Sequence, residues 1–206
     1  HLSRLVRAGR IPEMPVFLDS PMAIDVTEIF RQYQQCLDEE TWELILSNEP
    51  PLRFPGLQMI RTVEQSKQVN HHKRPCVIMA SSGMCNAGRI KFHLRNNIER
   101  KESTVLFVGY QGQGTLGRQV VEGNPEVRIH GRMFRVRAQV AQIHGFSGHA
   151  DRDELWRWLG NLKHAPRQIF LTHGEENVSV HLAEMIRQQR GWNVHIPHFQ
   201  DVVELS

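Results

Sequence analysis

Two histidines near the carboxyl end of the sequence lie in turns that suit catalysis or metal binding. His149 lies within residues 143–151, IHGFSGHAD, directly before a pattern typical of a helix. His173 follows the short apolar run at residues 169–171 and precedes a glycine. Histidine is the most common metal ligand and general acid or base in proteins. Because the carboxyl ends of strands carry ligand sites in α/β folds, both positions are candidates for chemistry.

Six other histidines are interpreted as surface, structural or solvated residues. Eight of the twelve histidines follow residue 123, so chemistry is expected mainly in the carboxyl-terminal part. His71 and His72 lie in a polar stretch before two basic residues, as expected of a surface. No chemical role is assigned to His144, His181, His195 or His198.

A second candidate is the turn formed by Ser81, Ser82 and Gly83. These small residues follow an apolar run and lead into a helix-like pattern. Hydroxyl groups and backbone N–H groups at the positive end of a helix can hold a phosphate. An ordinary helix N-cap explains the same residues equally well, so both interpretations stay open.

Residues 112–117 spell GQGTLG, the glycine spacing of a dinucleotide-binding turn. That fingerprint needs a helix of about three turns and an acidic residue about 20 positions further on. The segment RQVVEG allows a helix of only about two turns before Asn124 and Pro125. No clean strand ending in an acid follows. The sequence therefore favours a tight turn between a strand and a helix.

Apolar runs alternate with helix-like patterns in the first part of the chain. Runs at residues 16–18, 76–80 and 103–108 predict buried strands. This alternation indicates an α/β domain with a mainly parallel sheet flanked by helices. The predicted apolar faces of two of these helices are Ile24, Ile29, Tyr33 and Cys36, and Ile90, Leu94 and Ile98.

The pattern changes near residue 125, where we place a domain boundary. Alternating apolar and polar residues at 127–140 predict a hairpin or a pair of antiparallel strands. Asp151 and Glu154 have the spacing of a capping box at the start of a helix. That helix is expected to place on one stripe Leu155, Trp158, Leu159 and Leu162.

The composition is typical of a globular protein of one large or two small domains. The 206 residues are 40% hydrophobic and 23% charged, and the net charge of +3 permits a nucleic-acid partner without arguing for one. Three scattered cysteines indicate a reducing compartment, and no apolar run is long enough for a membrane span. We expect a cytoplasmic protein without a membrane partner. Since the sequence opens without a methionine, we also expect it to be a segment of a longer protein.

Five ordered motifs together cover essentially the whole chain: VFLDSPMA, MASSGMCNAGR, GYQGQGTLGR, VRAQVAQIHGFSGHAD and LTHGEENV. They closely resemble motifs of the β-CASP family of metallo-β-lactamase-fold nucleases. The nearest members are prokaryotic RNA-processing enzymes. The resemblance implies that residues 1–125 are the carboxyl-terminal portion of an α/β β-CASP cap. Residues 126–206 would be the carboxyl-terminal segment of an incomplete metallo-β-lactamase αββα domain.

The resemblance also implies roles for single residues. His149 matches a catalytic histidine, and His173 matches a ligand to one of two zinc ions that is a histidine in RNA-acting members. Ser81, Ser82, Gly83, Ser147 and Gly148 resemble elements that contact substrate phosphate. The family's main metal motif, His-x-His-x-Asp-His, is absent from this sequence.

The implied function is zinc-dependent hydrolysis of RNA phosphodiester bonds by a two-metal mechanism. The expected substrate is single-stranded RNA in a groove between cap and core, and a homodimer is compatible with the family. Since most metal ligands are absent, this chain alone is expected to bind little zinc and to be inactive. The alternative is a non-catalytic RNA-binding or scaffold homologue.

Overall fold

The computed structural model describes residues 1–47 and 53–204, and the chain divides into two compact units. The first is His1–Ile143 and the second His144–Ser206. The first unit contains α1 (Leu2–Arg7), β1 (Val16–Asp19), α2 (Pro21–Gln32), a 3₁₀ turn (Gln34–Cys36), α3 (Glu39–Leu46), β2 (Leu57–Met59), α4 (Val63–Val69), β3 (Val77–Ala80), α5 (Ile90–Asn97), β4 (Thr104–Phe107), α6 (Leu116–Val121), β5 (Glu126–Ile129), β6 (Arg132–Arg135) and β7 (Gln139–Gln142). The second contains α7 (Arg152–Leu159), β8 (Ile169–Phe170), α8 (Glu176–Arg190) and β9 (Val194–His195).

A three-stranded parallel sheet of order β2-β1-β3 organises the first part of unit one. Val16 and Phe17 of the central strand are buried, as the apolar run predicted. In the register of β1 with β3, Asp19 lies opposite Ala80, so the two strands end side by side. This arrangement confirms the predicted α/β class with parallel strands and flanking helices.

Helix α2 begins where the sequence offers a cap. Ser20 is the N-cap residue, its Oγ accepts a hydrogen bond from Ala23 N, and Pro21 occupies the first helical turn. The helix ends at Gln32, so the predicted apolar face through Tyr33 and Cys36 is wrong. Of that set Ile24 is buried, whereas Ile29 and Tyr33 are more than half exposed.

The second part of unit one combines a parallel strand pair with a hairpin. β5 and β6 pair antiparallel, which confirms the predicted hairpin, but β7 leaves the hairpin and pairs parallel with β4. Leu94 and Ile98 are buried, with Ile90 packed beside them, so the predicted face of α5 is confirmed. Their core also contains Cys85, Phe107, Leu116, Val120, Val127 and Ile129.

Unit two is a small α/β unit with its own core. The capping box of Asp151 and Glu154 is present at the start of α7, as predicted. The strands β8 and β9 pair parallel, and α8 ends at Arg190 with Gly191 as its C-cap. Of the stripe predicted on α7, Leu159 is buried but Trp158 is 66% exposed. The core consists of Leu159, Ala183, Ile186 and Val194.

The two compact units divide at residues 143 and 144, whereas the sequence pattern changes near residue 125. The hairpin and β7 belong to unit one because β7 completes the pair with β4. The assignment of residues 126–206 to a metallo-β-lactamase segment stays a prediction. Within residues 1–47 and 53–204, no helix combines the length and the apolar character that a membrane crossing requires.

Candidate functional site

The turns that follow β1 and β3 bring two serine hydroxyls together. Ser20 comes directly after Asp19, and Ser81 directly after Ala80. Because those strand ends are neighbours in the parallel register, Ser20 Oγ lies 2.8 Å from Ser81 Oγ. Ser20 is buried, whereas Ser81 and Ser82 are half-buried and Gly83 is exposed. The serine turn predicted from sequence therefore has a partner on the neighbouring strand.

Residues 81–89 form a closed loop before α5. Ser82 N donates to Ala87 O at 3.3 Å, and Ile90 N donates to Ser81 O at 3.2 Å. Gly88 has φ +77°, and a Cβ there would clash with Ser81 O. The turn does lead toward a helix, but α5 begins only at Ile90, so the rest of the loop separates Ser81, Ser82 and Gly83 from it. The N-terminus of α5 is thus not formed by these three residues, and phosphate binding by them stays a prediction.

The GQGTLG turn packs against this loop. Gly112 N donates to Met84 Sδ at 3.1 Å, and Gly117 N donates to Met84 O at 3.0 Å. Leu116 N donates to Asn86 Oδ1 at 2.9 Å. These N–H groups are engaged within the protein, which removes donors that a dinucleotide phosphate would need.

A buried polar group lies beneath the two serines, and we call it the Asp19 cluster: Asp19, Ser66, Asn70, Arg89 and His93. Asp19 is completely buried. Its Oδ2 accepts from Ser66 Oγ at 2.5 Å and lies 2.6 Å from His93 Nε2, while its Oδ1 accepts from Arg89 Nη1 at 2.5 Å. A buried carboxylate requires such partners to offset its lost hydration.

The orientation of His93 follows from its two neighbours. Its Nδ1 lies 3.0 Å from Asn70 Oδ1, and its Nε2 faces Asp19. Asn70 Nδ2 donates to Ser66 O, which leaves the amide oxygen pointing at the ring. Both ring nitrogens therefore face side-chain oxygens that can accept a hydrogen bond.

Arg89 connects all three strands of the parallel sheet. Besides Asp19 at the end of β1, it donates to Ile60 O at 2.8 Å and to Arg61 O at 2.6 Å, just beyond β2. Arg89 itself lies in the segment between β3 and α5. The guanidinium thus fixes the carboxyl ends of the strands relative to one another.

The pKa of the Asp19 carboxyl reflects these contacts. Burial alone raises it, but the hydrogen bonds from Ser66, His93 and Arg89, with the charge of His93, hold the pKa below its usual range. The sequence interpretation missed the whole cluster. An acid at the end of an apolar strand was the available signal.

In unit two, Ser147, Gly148 and His149 lie in an exposed turn before α7. His149 N donates to Ser147 Oγ at 3.1 Å, which uses the serine as an internal cap for the turn. The N-terminus of α7 is occupied by the carboxylates of Asp151 and Glu154. The first turn of α7 is therefore capped within the protein, and the His149 side chain is accessible. Phosphate contact by Ser147 and Gly148 stays a prediction.

His173 follows β8 in the loop that leads to α8, as the sequence predicted. It is exposed and has φ +63°, a left-handed conformation that is uncommon for a residue with a Cβ. A Cβ on the neighbouring Gly174 would lie 2.6 Å from Ser179 Oγ, so the glycine allows a close approach to α8. His173 is thus presented on the surface of unit two.

The described residues do not form a zinc site on their own. Throughout residues 1–47 and 53–204, no three histidine, cysteine, aspartate or glutamate side chains are placed to hold a metal ion together. A protein zinc site uses three or four such ligands. His173 can supply one ligand, so further ligands would have to come from outside the described residues.

Family profiles match both parts of the chain. The Beta-Casp domain matches residues 1–120, and the Zn-dependent metallo-hydrolase RNA specificity domain matches residues 133–197. The second match contains both His149 and His173. The assignment of the individual site residues stays a prediction.

Similar curated proteins agree with these matches. Ribonuclease TTHA0252 of Thermus thermophilus is 38% identical over 94% of this chain and 44% of its own length. Transcription termination factor FttA of Methanosarcina mazei is 31% identical over 90% of this chain and 30% of its own length. FttA of Thermococcus kodakarensis is 30% identical over the whole chain and 32% of its own length. The chain thus spans less than half the length of these relatives. Since the Beta-Casp profile matches more than half of its residues, the chain belongs to the β-CASP family.

Proposed function

We propose that the complete protein is a zinc-dependent ribonuclease and that this chain supplies residues that face the RNA. The observation that carries the proposal is the exposure of His149 and His173 within the segment that matches an RNA specificity domain. Neither histidine is part of a core, so neither is explained by packing. The ribonuclease among the similar proteins supports the same reaction class.

His149 would act on the RNA substrate and not on the metal ions. Its imidazole would donate a hydrogen bond or a proton to the scissile phosphate or the leaving oxygen. The bond from His149 N to Ser147 Oγ holds the backbone of this turn while the ring stays accessible. A side chain with this task needs solvent access and a fixed backbone, and His149 has both.

His173 would be this chain's contribution to metal binding. Two zinc ions in the complete protein would activate a water molecule and neutralise phosphate charge. The other ligands would come from a His-x-His-x-Asp-His segment that is not among the residues of this chain. The chain alone is therefore expected to bind little zinc and to lack nuclease activity.

Phosphate contacts are proposed separately for the two units. In unit one, the proposed contacts are the half-buried Ser81 and Ser82 and the exposed Gly83. The Ser82 hydroxyl donates to Ala87 O at 3.3 Å and would exchange this bond for one to a phosphate. In unit two, Ser147 and Gly148 form the exposed turn before His149. Contacts of this kind bind RNA without reading its sequence, and they suit a single strand whose backbone is accessible.

The test compares two exposed histidines of the same turn in the complete protein. His149→Ala should lower cleavage of a single-stranded RNA oligonucleotide by about 100-fold or more, while zinc measured by elemental analysis stays unchanged. His144→Ala is the matched control and should retain activity. An equal effect of both substitutions would refute the role of His149. RNA binding without cleavage by the zinc-loaded wild type would instead support the non-catalytic alternative.

A further inference from the structure

Ser20 is a buried hydroxyl that links helix α2 to the Ser81 turn. It is 3% exposed, so RNA cannot reach it directly. Its Oγ accepts from Ala23 N at 3.4 Å and lies 2.8 Å from Ser81 Oγ. It therefore acts on the half-buried Ser81 and not on a ligand.

The direction of the hydrogen bond between the two serines determines whether the Ser81 hydroxyl can donate to a ligand. A hydroxyl has one hydrogen to donate and can accept two bonds. Ser20 Oγ accepts from the backbone of α2, so its own hydrogen is available for Ser81 Oγ. When Ser20 donates to Ser81, the hydrogen of Ser81 remains free for an external acceptor.

The Asp19 cluster keeps this pair in place. Asp19 precedes Ser20 in the chain, and Arg89 lies in the loop that follows Ser81. The bond between Arg89 Nη1 and Asp19 Oδ1 therefore joins the two backbone segments that carry the serines. Ile90 N, at the end of the same loop, donates to Ser81 O. A hydroxyl pair held from both sides loses little freedom when a ligand binds.

We propose that Ser20 is a positioning residue that donates to Ser81 Oγ and so directs the Ser81 hydroxyl hydrogen toward a phosphate oxygen of the RNA. The inference rests on the proposed ribonuclease function, and it adds a residue that the family resemblance did not assign. Ser81 is the group that contacts the phosphate, and Ser20 acts through it.

A double-mutant cycle in the complete protein tests the proposal. Ser20→Ala, Ser81→Ala and the double variant are compared with the wild type in steady-state cleavage of a single-stranded RNA oligonucleotide. Ser20→Ala should raise KM about fivefold with kcat nearly unchanged, because one hydrogen bond to bound substrate is weakened. In the Ser81→Ala background, Ser20→Ala should have no further effect on KM.

The matched control removes another buried hydroxyl from the same helix. Thr27 is 5% exposed, and its Oγ1 donates to Ala23 O at 2.8 Å without touching Ser81. Thr27→Val should leave KM unchanged. Ser20→Thr retains a hydroxyl and a helix cap, and it should restore most of the wild-type KM. Urea unfolding of each variant shows whether it is folded at the assay temperature.

The outcomes separate this inference from the proposed function. An inactive zinc-loaded wild type would overturn both. Full activity of the wild type with additive effects of Ser20→Ala and Ser81→Ala would overturn the inference alone. The inference also fails if Thr27→Val raises KM as much as Ser20→Ala, since the effect would then be structural.

Discussion

Arg89 and Asp19 form a buried ion pair that ties the ends of three parallel strands together. Arg89 Nη1 lies 2.5 Å from Asp19 Oδ1 at the end of β1, and the same guanidinium donates to two carbonyls just beyond β2. The exposed fraction of the two side chains is 19% and 0%. Such a pair fixes a geometry more than it adds stability, since burial removes the hydration of both charges.

Removal of the guanidinium should be strongly destabilising. Arg89→Met removes the guanidinium from the buried Asp19 carboxylate and from two carbonyls beyond β2, so the free energy of unfolding should fall by about 3–5 kcal/mol. The control is Arg100→Met, because Arg100 pairs with Glu102 at 3.5 Å on the surface. That change should lower the free energy by less than about 1 kcal/mol. Urea unfolding followed by circular dichroism measures both, and equal losses would contradict the structural role of Arg89.

Acid should weaken unit one through Asp19. Its pKa in the folded protein lies below the ordinary value of 3.8. The carboxylate therefore contributes stability that is fully present above pH 3.8 and is lost as the pH falls through the lower folded pKa. Between pH 6 and pH 2, the free energy of unfolding of the wild type should fall more steeply than that of Asp19→Asn.

That comparison uses urea unfolding at each pH, with Asp25→Asn as a control for an exposed carboxylate in the neighbouring helix. Asp25 pairs with Arg61 at 2.8 Å with 63% of its side chain exposed. Its substitution should leave the wild-type slope in acid nearly intact. Parallel curves for the wild type and Asp19→Asn would show that Asp19 titrates normally.

Gly88 and Gly114 have the same backbone φ but different surroundings. Substituting each by alanine therefore distinguishes the cost of backbone strain from the cost of a steric clash. Gly88 and Gly114 both have φ +77°, but an added Cβ would clash with Ser81 O in the first and meet nothing within 4 Å in the second. Gly114→Ala should cost about 1–2 kcal/mol from backbone strain alone. Gly88→Ala should cost more, because the loop of residues 81–89 must also move. Urea unfolding measures both losses in the free energy of unfolding. Equal losses would mean that the loop of residues 81–89 moves to accommodate the new Cβ without further cost.

Metal binding should depend on His173 and not on its neighbours. In the complete protein, His173→Ala should lower zinc occupancy measured by elemental analysis, because one ligand is lost. His181→Ala is the matched control, since His181 is an exposed histidine in α8 of the same unit. Unchanged zinc in His173→Ala would refute the ligand assignment.

Local patterns predicted much of the fold because their causes are local. The capping box at Asp151 needs only the residue three positions on, and the β5–β6 hairpin needs only its own alternation. The start of α5 at Ile90 depends instead on a contact that is distant in the sequence. Residues 86–89 continue a helix-like pattern, but Arg89 is held by Asp19, 70 positions away in the sequence.

In the candidate site too, residues with local signals were predicted from the sequence and residues with long-range contacts were not. His149 and His173 were found because a polar residue in a turn is visible in one short segment. Ser20 and His93 were missed because their roles depend on strand register. His93 lies in a helix pattern, and only the pairing of β1 with β3 brings the end of β1 close to it. An acidic residue at the end of a strand indicates one member of such a cluster, but it does not indicate which residues are its partners.

The three cysteines should differ in reactivity according to burial. Cys85 is 2% exposed, and burial raises the pKa of its thiol to about 11. At pH 8 only about one Cys85 thiol in a thousand is then ionised, and access is blocked as well. Cys36 is exposed, and burial raises the pKa of Cys76 above its usual value. Under native conditions at pH 8, a thiol-reactive dye should modify Cys36 rapidly and Cys85 only when the protein opens.

Labelling of the wild type should therefore show a fast and a slow phase, and cysteine variants show which thiol reacts in each. Cys36→Ser should abolish the fast phase, whereas Cys85→Ser should leave it unchanged, and denaturant should make all three thiols of the wild type react. Since Cys85 belongs to the core with Leu94 and Ile98, its rate also reports opening of unit one. Rapid labelling of Cys85 without denaturant, detected by peptide mass, would show that this core is open in solution.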